Sequence, residues 1–91
     1  MSVRSKFGIT LEVLSLIESG VTIPTNILYK ANLSHRTMKD VLSSLEETGL
    51  VSRNPREGNR TRYAYGLTDK GAEVLRFYEK SVIYQLIKKD L

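Results

Sequence analysis

The sequence predicts a mainly α fold with a small β-hairpin (α+β), and three observations predict it. Apolar residues recur at helical spacing in several stretches, most clearly at Met38, Val41, Leu42 and Leu45. Residues 50–53 and 62–67 instead alternate apolar and polar around the turn-forming run NPREGN. The chain has 91 residues, 41% of them hydrophobic and 26% charged, which suits one soluble domain with a single small core.

The same totals exclude several function classes. Without cysteine there is no disulfide framework and no thiolate zinc site, which agrees with an intracellular protein. No apolar run reaches the length of a membrane span, and MSVRSKFG lacks the apolar centre of a signal peptide, so a cytoplasmic location and no membrane partner are expected. His35 is the only histidine, and no glycine-rich phosphate loop or nucleophile motif is present. No catalytic residue, metal site, cofactor or small-molecule ligand is therefore expected. Fourteen Lys and Arg against ten Asp and Glu give +4, a balance compatible with a polyanionic partner.

Residues 1–6 form a loose basic start, with Arg4 and Lys6. From Phe7 the pattern becomes helical: Ile9, Val13, Leu14, Leu16 and Ile17 share one face, Glu12, Ser15 and Ser19 another, and Gly20 ends the helix. Val21 to Ile23 is a β-branched piece suited to be a third strand against the hairpin. Pro24 fits a first helical position, and TNILYKA completes a short second helix with Ile27, Leu28 and Ala31 facing inward. Asn32 and Leu33 make a tight connection to a third helical stretch.

That stretch, from Leu33 to Leu50, is the most informative. Ser34 is a good N-cap and Gly49 a good residue just past the end, so a helix should run from about His35 to Thr48. Its apolar stripe is Met38, Val41, Leu42 and Leu45, and its opposite face is Arg36, Lys39, Asp40, Ser43 and Glu47. Hydrogen-bond donors (His35, Arg36, Thr37, Lys39) occupy the first two turns, whereas Glu46 and Glu47 occupy the last. The leading end can therefore approach an anion, with the helix dipole reinforcing it. The plain alternative is an amphipathic surface helix with an ordinary mix of charges. Two short helices joined by a tight turn, the second capped and basic at its start, form a helix-turn-helix signature.

The hairpin comes directly after it. Tyr63, Tyr65 and Leu67 fall on one side of its second strand, and Arg53, Arg56, Arg60 and Arg62 lie in or beside a loop containing Gly58 and Asn59. Over residues 50–67 there are four Arg against one Glu57, so this segment carries +3 of the chain's +4. Such a run can be a merely solvated face, but arginines on a projecting loop can also reach phosphates or enter a narrow minor groove. A helix-turn-helix followed by a basic hairpin is the winged-helix arrangement.

Thr68 or Asp69 caps a final helix expected over residues 70–90. Leu75, Tyr78, Val82 and Leu86 trace a stripe that docks it on its own domain. Phe77, Tyr84, Ile87 and Leu91 trace a second stripe, for which a symmetry mate is the simplest cover. The expected organisation is a winged helix-turn-helix unit over 1–67 and a dimerisation helix over 68–91 packed on the same domain.

The runs ILYKANLSHRTMKDVLSSLEETGLVSR and YAYGLTDKGAEVL resemble small archaeal winged-helix regulators and DNA-binding proteins, and are also similar to MarR-like and PadR-like winged helices. That resemblance implies a dimeric DNA-binding protein whose last helix forms the dimer. The expected partners are double-stranded DNA and a second copy of the chain. On the recognition helix the candidate contacts are Ser34, His35, Arg36, Thr37, Lys39 and Ser43. On the wing they are Arg53, Arg56, Asn59, Arg60 and Arg62, with Tyr29 and Lys30 touching the backbone. An architectural chromatin-type protein and a winged-helix adaptor that binds protein are the competing readings.

Overall fold

The computed structural model describes residues 5–56, 63–81 and 86. Four helices and one hairpin run in the order α1 (Lys6–Glu18), α2 (Pro24–Ala31), α3 (His35–Glu47), β1 (Val51–Pro55), β2 (Tyr63–Leu67) and α4 (Asp69–Glu79). Side-chain oxygens start three of the helices: Ser5 accepts from the Gly8 amide, Ser34 from the Thr37 amide, and Thr68 from the Gly71 amide. Helix α2 starts without one, and Pro24 at its first position removes one donor that would otherwise need a partner.

The first three helices end alike. Past α1, Gly20 (φ 106°) donates to Ile17 and Val21 donates back to Leu16; past α3, Gly49 (φ 78°) donates to Glu46 and Leu50 to Leu45. After α2 the left-handed position is filled by Asn32 (φ 53°), and Leu33 donates to Leu28. Each is a Schellman closure, which consumes terminal carbonyls and turns the chain sharply. The turn at Asn32 sets α3 next to α2.

Helix α1 packs on α2, β2 and α4 at once, so it buries residues on more than one face: Leu11, Val13, Leu14 and Ile17. Leu11 is absent from the expected inward face, and Leu16, which belongs to it, is only half-buried. A helix enclosed on several sides blurs the single stripe from which an inward face is read. Around it gather Ile27, Met38, Val41, Leu42, Leu45, Val51, Tyr65 and Leu75. Among the described residues no wholly polar or charged side chain is buried.

Two expectations change. The sheet of the described residues has two strands, with Arg53 opposite Tyr65 and Pro55 opposite Tyr63, so Asn54 and Pro55 belong to β1 and not to the turn. Val21 to Ile23 is not a third strand and contributes one bond, from the Tyr65 amide to the Thr22 carbonyl at 2.8 Å. The reason is local: the Val21 amide closes α1, the Ile23 carbonyl accepts from Ile27 inside α2, and Pro24 has no N–H to offer.

Helix α4 ends at Glu79, short of the span expected over residues 70–90, and Leu86 is again helical. The Ser81 amide and hydroxyl both donate to the Tyr78 carbonyl, at 3.0 and 2.7 Å, so a serine replaces the continuing ladder at that point. Leu86, assigned to the docking stripe, is 59% exposed. Val82, Tyr84, Ile87 and Leu91 lie outside the described residues, as do residues 1–4.

The junction of α3, the hairpin and α4 is stitched by four bonds. The Thr68 hydroxyl donates to the Gly49 carbonyl at 2.7 Å and its amide to the Leu50 carbonyl at 3.1 Å. The Gly71 amide donates to the Thr68 hydroxyl oxygen at 3.0 Å, and Lys70 Nζ to the Thr48 carbonyl at 3.1 Å. Gly71 itself is buried against Leu50. A Cβ there would run into the Leu50 carbonyl oxygen while lying 3.0 Å from its carbon and 3.2 Å from Leu67 Cδ1. Since the obstacle is backbone, Gly71→Ala should cost about 3 kcal/mol, the upper part of the range for overpacking. Thermal unfolding measures this, and an unchanged melting temperature would refute the tight fit.

Candidate nucleic-acid interface

On α3, Met38, Val41, Leu42 and Leu45 are all buried, whereas Arg36, Lys39, Asp40, Ser43 and Glu47 are all exposed. The inward stripe thus fixes the rotation of the helix, and rotation decides which side chains reach solvent. At the leading end Ser34 and Thr37 are tied together. The Ser34 oxygen accepts from the Thr37 amide at 3.1 Å while its hydroxyl donates to Thr37 Oγ1 at 2.8 Å. Ser34 is thereby committed to capping, and the Thr37 proton can still be donated outward. His35 and Arg36 are exposed in the first turn.

His35 also borders a cleft of about 250 Å³ together with Ile23, Pro24, Thr25, Leu28, Met38 and Tyr63. The start of α2, the start of α3 and the loop-proximal end of β2 therefore meet around one depression. Tyr63 of the hairpin thus faces the same depression as the first turn of α3. On the outer side of α2, Tyr29 is 74% exposed and Lys30 is exposed in the last turn. Within the hairpin, Arg53 is exposed and Arg56 half-buried, while Asn59, Arg60 and Arg62 fall outside the described residues.

Arg53 has partners of its own. Its Nε lies 3.6 Å from Glu46 Oε2 in the last turn of α3, and its guanidinium stacks over the Tyr63 ring, 4.6 Å from the centroid. Sequence reasoning places Glu46 in the last turn of α3 without naming a partner and gives Tyr63 no role in a site. The available signal is the alternation that puts Arg53, Tyr63 and Tyr65 on one face of the hairpin. Tyr65, opposite Arg53, is largely buried; burial raises its phenol above the ordinary value of 10.0, the Glu46 carboxylate adds to the rise, and Arg53 opposes it.

Phe77, expected on a dimer stripe, is 69% exposed. Its ring meets Tyr78 edge-on with centroids 5.3 Å apart, and Tyr78 meets Phe7 of α1 at 5.0 Å. Phe7 is also exposed, so the aromatic group spans the α1 and α4 surfaces. Among the described residues no helix is long and apolar enough to cross a membrane, and no group of three or more His, Cys, Asp or Glu could hold a metal.

Comparison with known proteins gives three kinds of match. A family model described as winged helix-turn-helix matches residues 3–86. An uncharacterised protein of Methanocaldococcus jannaschii is 35% identical over 51 residues, which is 56% of this chain and 53% of that protein. Among solved structures, the reduced form of MarR from E. coli superposes with a TM-score of 0.74 at 22% identity, over 90% of this chain and 63% of that one. The transcriptional repressor CouR, solved bound to a 23-mer DNA duplex, superposes with a TM-score of 0.72 at 27% identity, over 77% of this chain and 50% of that one. The chain thus spans about half to two thirds of the length of these relatives.

Because Tyr65 is more basic in the folded protein, the sign of its effect on stability is fixed. A phenol that holds its proton more tightly in the folded state contributes stability that is complete below its unfolded value and is lost as pH rises through the raised folded value. Replacing Tyr65 with Phe should flatten this alkaline decline. Denaturant unfolding of both proteins from neutral pH to above the ordinary tyrosine value of 10.0 measures it, and parallel curves would refute the assignment.

Proposed function

From the premise that this chain belongs to the winged helix-turn-helix family, we propose that it binds double-stranded DNA as a homodimer and regulates transcription. One observation carries the reading: His35, in the first turn of α3, and Tyr63, at the loop-proximal end of β2, border the same cleft. The donor-rich end of a half-buried helix and the arginine-bearing hairpin thus flank one surface, as a helix in the major groove and an adjoining wing require. The DNA-bound structure of CouR, in a similar fold, supports the same reading.

Arg36 and Lys39 project from the exposed face of α3 and are assigned to base edges or adjacent phosphates, with His35, Thr37 and Ser43 adding hydrogen bonds. Ser34 serves as the cap that presents the first-turn amides. Tyr29 and Lys30 reach the backbone from α2. Arg56, Asn59, Arg60 and Arg62 anchor the wing, a role that rests on the charge concentrated there. Phe77, with Tyr84, Ile87 and Leu91, is assigned to the dimer contact, which the exposure of Phe77 and Leu86 supports. Two copies would set two α3 helices in successive major grooves if about 34 Å apart.

Arg36→Ala should reduce the preference for a cognate site over a scrambled duplex by about 1–3 kcal/mol. Arg60→Ala should weaken binding to both duplexes and lower the salt slope by about one. Titrations on both duplexes at two salt concentrations measure this, and equal losses for the two variants would refute the division of roles. Occupancy of the whole genome at discrete sites upholds a regulator, whereas continuous coverage would make the protein architectural. Phe77→Asp should shift the chain from dimer to monomer in sedimentation equilibrium; an unaltered mass would remove Phe77 from the contact.

A further inference from the structure

The wing is a two-stranded ribbon, and two strands alone are marginal in water. At its base the ribbon is held by buried Val51 and Tyr65 and by the bond from Tyr65 to Thr22. Beyond that base, Arg53 joins both strands to a helix. It stands on β1, stacks on Tyr63 of β2 at 4.6 Å, and meets Glu46 of α3 at 3.6 Å. Ser52, Asn54, Ala64 and Gly66 occupy the opposite face of the ribbon, where Asn54 bonds to Ser52 within its own strand.

We propose that Glu46, Arg53 and Tyr63 are positioning residues that brace the wing against α3, and that Arg53 acts on DNA through the wing and not by touching it. The inference rests on the DNA-binding reading above and reassigns one residue from the expected wing contacts. A guanidinium whose face lies on an aromatic ring and whose charge is partly met by a carboxylate is less available to a phosphate. The arrangement also accounts for an acidic residue close to a surface meant for a polyanion. Without that role, Glu46 would only repel.

The sign of one substitution separates the possibilities. Charge alone says that Glu46→Gln should tighten DNA binding, because a negative charge is removed near the interface. The brace says that it should weaken binding, by about threefold for a partly exposed pair. Arg53→Met should weaken binding with an unchanged salt slope, whereas a phosphate contact would lower the slope by about one. Tyr63→Phe keeps the stacking surface and should behave as the parent protein, while Tyr63→Leu should resemble Arg53→Met.

The test uses the full chain, fluorescence anisotropy on one duplex at two salt concentrations, and amide hydrogen exchange of the DNA-free protein. Expected are the affinity pattern above and faster exchange in β1 and β2 of Glu46→Gln, with the amides of α1 unaffected. Binding by Glu46→Gln at least as tight as the parent, or a reduced salt slope for Arg53→Met, would overturn the proposal. If the parent protein bound no duplex, the DNA reading would fall, and the exchange comparison would decide by itself whether the brace holds the wing. Equal exchange in the two proteins would then reject it.

Discussion

The constraint on which the rest of the molecule depends is the contact between the start of α4 and the turn that follows α3, Thr48 to Leu50. Thr68 uses its hydroxyl and its amide on Gly49 and Leu50, Lys70 reaches Thr48, and Gly71 lies directly on the Leu50 carbonyl. Those three carbonyls belong to the turn that follows α3, whose own terminal carbonyls are taken by the amides of Thr48, Gly49 and Leu50. Because the hairpin leaves α3 at Leu50 and re-enters α4 at Thr68, the same stitches close the hairpin at its base. The direction of the wing, the placement of α4 and the rotation of α3 are therefore one geometric problem with one solution.

Part of that solution is written in local sequence. The stripe of Met38, Val41, Leu42 and Leu45 is legible because α3 has one buried side, so periodicity and burial coincide. Its outer face, Arg36, Lys39, Asp40, Ser43 and Glu47, is legible for the same reason. The caps at Ser34 and Thr68 and the left-handed residues at Gly20 and Gly49 act within four residues of themselves, so sequence reading finds them.

The features that escape sequence reading depend on packing between elements and on competition for backbone groups. Leu11 is buried because α1 is enclosed by three elements, which no pattern inside α1 reveals. Val21 to Ile23 has the composition of a strand, but its hydrogen-bonding groups are claimed by the helices on either side. Glu46 and Arg53 are close in sequence but sit on different elements, and their pairing comes from how the hairpin folds back beside α3. The end of α4 at Glu79 depends on Ser81 competing for a backbone carbonyl, a choice that apolar periodicity does not register.

Any two-stranded ribbon presents free edges on which another extended chain can assemble. Along β2, the amide of Tyr65 is already taken by Thr22, and the adjoining chain runs into Pro24. Along β1, the strand ends at Pro55, which has no donor. Strand-to-strand recruitment between molecules is thus discouraged, which leaves aromatic side chains of α1 and α4 such as Phe7 and Phe77 as the more available ground for self-association, and lowers the hazard of amyloid-like stacking in a protein with so little sheet.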